Sequence, residues 1–138
     1  MIRKIIIFLT FVPSLVSAGT QVDSDLALKM LQGQDKHFEQ RVIKLTENVY
    51  VAVGFHGANT SMIVGADGLI IVDTLMGPTA AGNALKAFRQ YSDKPVKAII
   101  YTHSHPDHIG GASAFVGKQQ PVIYAMRGFA SAAGVERE

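Results

Sequence analysis

The chain has 138 residues, no cysteine, 13 basic and 11 acidic side chains, and a formal charge of +2 at neutral pH. This length allows one domain, and the lack of cysteine excludes disulfides, thiolate zinc sites and a cysteine nucleophile. The first 18 residues contain two of the bases and no acid, so the remainder has 11 of each and no net charge. No basic patch is then left to indicate nucleic-acid binding.

Residues 1–18 have the pattern of a secretory signal peptide. Arg3 and Lys4 precede a mostly apolar run over residues 5–16, and small residues follow as far as Ala18. The run is too short to span a bilayer comfortably. We therefore expect cleavage near Ala18, a secreted or periplasmic location, and no stable membrane span.

Residues 19–40 form a polar segment with weak helical spacing, in which Asp25 is placed to cap a helix. From Arg41 the pattern changes to short β-branched runs separated by turn residues, and residues 41–138 form the remaining domain. Asp-Gly at residues 67–68 is a strong hairpin signal. These runs predict four strands, over residues 42–45, 49–55, 61–65 and 68–73.

The next predicted elements alternate between helix and strand. Pro78 opens a helical pattern over residues 78–91, and residues 96–102 form an apolar run typical of a strand buried on both faces. Antiparallel strands followed by a strand–helix–strand unit predict an α/β fold with a mixed sheet and flanking helices. Three further elements complete it: a short helix over 109–116, a strand over 121–125 and a last helix from Met126.

The segment HSHPDH, residues 103–108, contains three of the chain's five histidines and an aspartate. It directly follows the strand predicted over residues 96–102, and α/β proteins place their active sites at the carboxyl ends of such strands. Gly110 and Gly111 come next and allow a tight turn and close packing of the following helix. His56 lies in a predicted loop, and we expect it to be an ordinary loop residue.

The residue types in this segment indicate a metal site. His103 and His105 are two positions apart, so an extended backbone points both imidazoles to one side, within reach of one ion. Asp107 and His108 follow the turn near Pro106 and would more naturally face a second ion, or a water on the first. With no thiolate in the chain, zinc is favoured, with iron or manganese as alternatives. A solvated histidine-rich loop is the competing interpretation, and this density of ligands argues against it.

The pattern HxHxDH after a hydrophobic strand resembles the signature of the metallo-β-lactamase-fold hydrolases. Residues 38–125 resemble the alkyl-sulfatase branch more narrowly. The resemblance implies that the chain is the amino-terminal half of an αββα sandwich with a site for two zinc ions. The stretches that carry the narrower likeness are "HFEQRVIKLTENVYVAVG", "ANTSMIVGADGLIIVDT" and "DKPVKAIIYTHSHPDHIGG".

The resemblance also implies a role for each candidate residue. His103 and His105 bind one metal ion, and Asp107 and His108 bind the other. Asp107 is the implied catalytic residue, because it also holds the water that the ions activate. Asp73, at the end of "IIVD", matches the family's supporting carboxylate near the metal loop. From the sequence alone, a turn residue at a strand end explains Asp73 equally well.

For the alkyl-sulfatase branch, the implied reaction is hydrolysis of an alkyl sulfate ester to an alcohol and sulfate. The implied substrate is a small anionic ester, and many full-length members of the branch are homodimers. A β-lactamase, a lactonase or a thioesterase on the same fold is the alternative hydrolase. The flanking stretches argue against that alternative, whereas the metal motif is compatible with it.

After His108 the chain contains no histidine, aspartate or cysteine, and its only acids are Glu136 and Glu138. The family pattern requires further ligands downstream, and no residue of this chain matches them. We therefore expect the chain to be the amino-terminal portion of a longer hydrolase and to be inactive by itself. A non-catalytic truncated product, which binds metal loosely or associates with a partner that supplies the other half, is the remaining alternative.

Overall fold

The computed structural model describes residues 23–118 and 120–134. The chain divides between Gly33 and Gln34 into two compact units. The predicted signal peptide and its cleavage site at Ala18 lie outside the described residues. None of the helices in the described part of the chain is long and apolar enough to cross a membrane.

The helix predicted within residues 19–40 is present as α1, Ser24–Gln34, and it has no buried side chain. Its amino end is capped by Asp23, whose carboxylate accepts the backbone N–H groups of Asp25 at 2.9 Å and Leu26 at 3.4 Å. The prediction that Asp25 is the cap is therefore wrong. Asp25 instead lies in the first turn, where its negative charge is favourable near the positive end of the helix dipole.

A six-stranded mixed sheet forms the framework of the second unit, and its strands are arranged in chain order. The first four strands form an antiparallel meander, and the last two each run parallel to the strand before them. All six predicted strands are present, and their ends differ from the prediction by no more than two residues. They are β1 (Arg41–Lys44), β2 (Val49–Val53), β3 (Thr60–Val64), β4 (Leu69–Val72), β5 (Val96–Ile100) and β6 (Val122–Tyr124).

Helices make the connections between the parallel strands. The helix predicted after β4 is α2, Pro78–Phe88, and it begins at the predicted proline. Two short helices, α3 (Pro106–Ile109) and α4 (Ala112–Val116), connect β5 to β6, and α5 (Phe129–Ala132) follows β6.

The prediction of one helix over residues 109–116 is wrong, because the chain forms α3 and α4 with a break at the two glycines. α3 begins at Pro106, since a proline loses nothing in a first turn where its missing N–H would be unpaired. Asp107 and His108 therefore lie on a helix and not in a loop.

The core lies between one face of the sheet and helices α2 and α4. Met62, Ile71 and Ile99 are paired across neighbouring strands and are fully buried on this face. They belong to one apolar cluster with Phe88 of α2 and Phe115 of α4. Burial of a side chain of this size contributes about 1.5–3 kcal/mol, so this layer stabilises the edge of the sheet at which the candidate ligands lie.

The opposite face of the sheet is only partly covered in the described structure. β5 was predicted to be buried on both faces, and this prediction is wrong. Val96 and Ile99 are buried, whereas Lys97 is exposed and Ile100 is half-buried. The cause is that α2 and α4 both pack against the face that Ile99 occupies. β6, at the edge, is exposed at all three positions.

Gly111, immediately before α4, packs closely against the loop after β4. A Cβ atom there would collide with the carbonyl oxygen of Thr74 and lie 2.5 Å from the Cβ of Ala81. We expect Gly111→Ala to lower the free energy of unfolding by about 1–3 kcal/mol through overpacking. Gly82→Ala, in the middle of α2 with no atom within 4 Å of the added Cβ, should raise it by about 0.5–1 kcal/mol.

Urea unfolding of the full chain, followed by circular dichroism, measures both variants. Equal stability of the two alanine variants would show that the packing of α4 against this loop tolerates an extra carbon.

Candidate metal centre

The candidate ligands lie at the carboxyl ends of β4 and β5. These strands are parallel neighbours, so their carboxyl ends meet at the same edge of the sheet. Asp73 directly follows β4, His103 and His105 lie in the loop after β5, and Asp107 and His108 are on α3. The structure thus brings all five candidate residues to one place.

Three imidazole rings form the centre of the cluster. The ring centroids of His103 and His105 are 4.6 Å apart, and those of His103 and His108 are 3.9 Å apart. Nε2 of His108 lies 3.4 Å from Oδ2 of Asp107. His108 is therefore next to the pair formed by the other two rings. The division of the four ligands between two ions stays a prediction.

Asp73 is buried, with 5% of its surface exposed, and its carboxylate accepts three hydrogen bonds. Oδ1 accepts the backbone N–H of Thr102 at 2.9 Å, and Oδ2 accepts the Thr102 hydroxyl and His108 Nδ1, both at 2.7 Å. A buried carboxylate without such partners would be very costly. Asp73 is therefore more than a turn residue, because its side chain joins the end of β4 to the next loop and to a candidate ligand.

The contact with Asp73 determines which nitrogen of His108 is available. A carboxylate only accepts hydrogen bonds, so the imidazole carries a proton on Nδ1, and the neutral ring then keeps its lone pair on Nε2. Histidines that bind metals commonly donate their second ring N–H to a carboxylate in this way. The contact with Asp73 thus fixes the orientation of this candidate ligand.

The loop after β4 is held in an uncommon backbone conformation. Asp73 and Leu75 have φ angles of 58° and 64°, in the left-handed region that costs a non-glycine residue about 1–2 kcal/mol. The buried hydroxyl of Thr60 donates to the carbonyl oxygen of Asp73 at 2.6 Å. The backbone N–H of Thr74 donates to the carbonyl oxygen of His108 at 2.6 Å. These bonds offset the cost and fix the direction of the Asp73 carboxylate.

Sequence reasoning missed three threonines that support the site, Thr60, Thr74 and Thr102. A threonine in or beside a strand is an ordinary β-former, and nothing in a linear pattern shows what its hydroxyl contacts. Only Thr102 carried a signal, because it immediately precedes the histidine-rich segment.

The donor set fits a divalent metal ion. Imidazole nitrogen and carboxylate oxygen suit zinc, and one imidazole already has its orienting carboxylate. Within residues 23–118 and 120–134, however, no group of three or more potential ligands is already arranged to hold an ion. The side chains are gathered at one edge and their coordination geometry is still open, so the identity and number of the metal ions stay predictions.

A crevice of about 220 Å³ lies on the helical side, between α2, α4 and β5. None of the candidate ligands lines it. The guanidinium of Arg89, one of its two cations, already donates to the carbonyl oxygens of Ser92 and Lys94. The crevice is therefore separate from the candidate metal centre.

An α/β domain with imidazoles and a carboxylate gathered at the carboxyl edge of its sheet is a candidate metal-dependent hydrolase domain. Residues 53–136 match the metallo-beta-lactamase superfamily. This match takes in more than half of the chain, and the chain belongs to that superfamily, whose members include hydrolases such as alkylsulfatases.

Two alkylsulfatases are similar to this chain. It is 54% identical over 59 residues to the linear primary-alkylsulfatase of a Pseudomonas species, a match that covers 43% of this chain and 11% of that protein. The solved structure of the stereoselective inverting sec-alkylsulfatase Pisa1 from Pseudomonas matches with a TM-score of 0.63 and 32% identity. That match covers 68% of this chain and 16% of Pisa1. The chain thus spans a small part of the alkylsulfatases it resembles.

A third match concerns the fold alone. A metallo-beta-lactamase from Pseudomonas aeruginosa, solved in its mono-zinc form, has a TM-score of 0.56 and 22% identity over 69% of this chain and 45% of its own. Together, these findings confirm the predicted α/β fold of the metallo-β-lactamase type and the likeness to alkylsulfatases.

Asp73→Asn tests the orienting contact. An amide nitrogen in place of Oδ2 donates to His108 Nδ1 and forces the ring proton onto Nε2, the atom needed for a metal. We expect the affinity for zinc to fall by roughly 10- to 100-fold, measured by competition with a chromophoric chelator. Asp67→Asn, in the exposed β3–β4 turn, should leave the affinity unchanged. Equal affinities in both variants would remove Asp73 from the site.

Tyr101, just after β5, has a raised pKa. Its ring stacks on Phe129 with centroids 5.4 Å apart. Burial raises the pKa of the hydroxyl above 10.0, the neighbouring Thr74 side chain lowers it, and the negative charge of Asp73 raises it again. The folded state therefore favours the neutral phenol.

This shift predicts a loss of stability at alkaline pH. The contribution of Tyr101 is complete below the unfolded-state pKa of about 10 and is lost as the pH rises through the higher folded-state value. Tyr101→Phe should thus lose less stability than the parent chain as the pH rises past this range, in thermal unfolding scans. Tyr124→Phe, which alters an exposed tyrosine, serves as the control, and identical pH dependence in all three proteins would contradict the prediction.

Proposed function

We propose that this chain provides the metal-binding part of a metal-dependent hydrolase that converts an alkyl sulfate ester and water into an alcohol and sulfate. The supporting observation is the cluster of three imidazoles at the carboxyl edge of the sheet, one of them oriented by Asp73. The likeness to two alkylsulfatases supports the choice of substrate class.

The proposed ligands are His103, His105, Asp107 and His108, and the proposed metal is zinc, two ions in the complete site. His108 would bind through Nε2, since its Nδ1 donates to Asp73. A divalent ion held there would supply Lewis acidity, lowering the pKa of a water molecule and neutralising charge on the sulfate group.

Asp107 is the proposed catalytic residue. Its carboxylate lies on α3 beside Nε2 of His108 and is half-buried, so it is open to a substrate from one side. There it would accept a hydrogen bond from the attacking water and aim the oxygen lone pair at the ester. Hydrolysis adds the hydroxyl of that water to one product and its proton to the other.

The wider setting of the protein is also a proposal. The signal-peptide pattern over residues 1–18 supports export to the periplasm or the medium. The resemblance to the alkyl-sulfatase branch supports a small anionic ester as the partner, and the balanced charge of residues 19–138 argues against nucleic acid. A homodimer is proposed for the full-length protein, on the resemblance to the alkyl-sulfatase branch.

By itself the chain is proposed to be inactive. It offers four metal donors, and no histidine or aspartate follows His108 to complete the coordination. An open set of ligands binds an ion weakly and does not impose the geometry that a hydrolytic site needs. The alternative is that the chain is a non-catalytic product that binds metal loosely.

Two assays test the function. In the first, the zinc-loaded full chain is incubated with dodecyl sulfate, a β-lactam and a lactone, and we expect no turnover of any of them. In the second, residues 53–136 of this chain, which match the superfamily, replace the corresponding part of the Pseudomonas linear primary-alkylsulfatase. We expect this chimera to release sulfate from dodecyl sulfate.

Matched histidine variants of the chimera locate the activity. His103→Ala should reduce sulfate release by roughly 100-fold or more through loss of a metal ligand, whereas His56→Ala, an exposed histidine outside the cluster, should not. Turnover of dodecyl sulfate by the isolated chain would contradict its inactivity. Hydrolysis of only the β-lactam would replace the sulfatase proposal with the alternative hydrolase.

A further inference from the structure

We propose that Thr102 is a positioning residue that sets the tautomer of His103 through a relay from Asp73. The Thr102 hydroxyl lies 2.7 Å from Oδ2 of Asp73 and 3.0 Å from Nδ1 of His103. It therefore sits between the buried carboxylate and the imidazole at the centre of the cluster. The inference rests on the proposed metal site and concerns how this chain's own residues prepare it.

The direction of the two hydrogen bonds follows from counting protons. A threonine hydroxyl has one proton to donate, and a carboxylate has none. At 2.7 Å from Asp73, the hydroxyl must donate its proton to the carboxylate, because two acceptors at that distance would repel each other. The oxygen of Thr102 is then left to accept, so Nδ1 of His103 carries the ring proton.

The consequence is that Nε2 of His103 keeps its lone pair and is the nitrogen available to an ion. One carboxylate thus sets the tautomers of two imidazoles. Asp73 orients His108 by direct contact and His103 through the hydroxyl of Thr102. Oδ2 of Asp73 is the common acceptor, so the two rings are coupled through one buried oxygen.

The structure allows the hydroxyl to be removed without loosening the loop. The backbone N–H of Thr102 donates separately to Oδ1 of Asp73 at 2.9 Å, and that bond remains in any variant with an N–H. The side chain of Thr102 is exposed, so Thr102→Val keeps the shape and leaves no buried polar atom unpaired. Thr102→Ser keeps the hydroxyl and removes only the methyl group.

The test is the tautomer of each histidine in the full chain without metal, read from long-range ¹H–¹⁵N spectra of the imidazole rings. We expect Nδ1–H at both His103 and His108 in the parent chain and in Thr102→Ser. Thr102→Val should move His103 towards the Nε2–H form and leave His108 unchanged, since its bond to Asp73 does not pass through Thr102. His108 thereby reports whether the variant is correctly folded.

Zinc affinity provides the second readout. Thr102→Val should weaken zinc binding by roughly 10- to 100-fold, as loss of an orienting partner does, while Thr102→Ser and the exposed control Thr79→Val should bind as the parent does. A His103 tautomer that is the same in Thr102→Val and in the parent chain would overturn the relay. A tautomer change with no zinc binding in any variant would sustain the relay and count against the metal site instead.

Discussion

The arrangement of the candidate metal centre depends on one buried carboxylate. Asp73 lies at the end of β4 and accepts hydrogen bonds from the backbone and hydroxyl of Thr102 and from the ring of His108. These bonds connect three separate pieces of chain, the end of β4, the loop after β5 and helix α3. Because the carboxylate is charged, each bond is charge-assisted and stronger than a bond between neutral groups.

The loop that carries this carboxylate has a strained backbone. Asp73 and Leu75 adopt left-handed backbone conformations, and the hydroxyl of Thr60 and the close approach of Gly111 hold the loop in place. Strain of this kind persists only where the surrounding structure overdetermines it. Here the surroundings are the packed layer of sheet and helices, so the same core that stabilises the domain also orients the imidazoles. Side chains positioned in this way are ready for a ligand before it arrives.

The confirmed predictions rest on local signals in the sequence, whereas the wrong ones concern packing between separate parts of the chain. The strands were found because β-branched runs and an Asp-Gly turn are local signals, and the start of α2 was found because Pro78 is favoured there. The helix over residues 109–116 and the two-sided burial of β5 were wrong. Both depend on packing, since Gly111 breaks the helix where it meets the loop after β4, and α2 and α4 cover one face of the sheet.

The sequence by itself determined the kinds of candidate ligand, their order along the chain and the strand that precedes them, because spacing and side-chain chemistry are local properties. It left Asp73 undecided between a turn residue and a partner of the metal loop. Only the tertiary structure decided this, since Asp73 is 29 positions from Thr102 and 35 from His108. Contacts over such separations exist only once β4 and β5 lie side by side, and no local pattern specifies which atoms then meet.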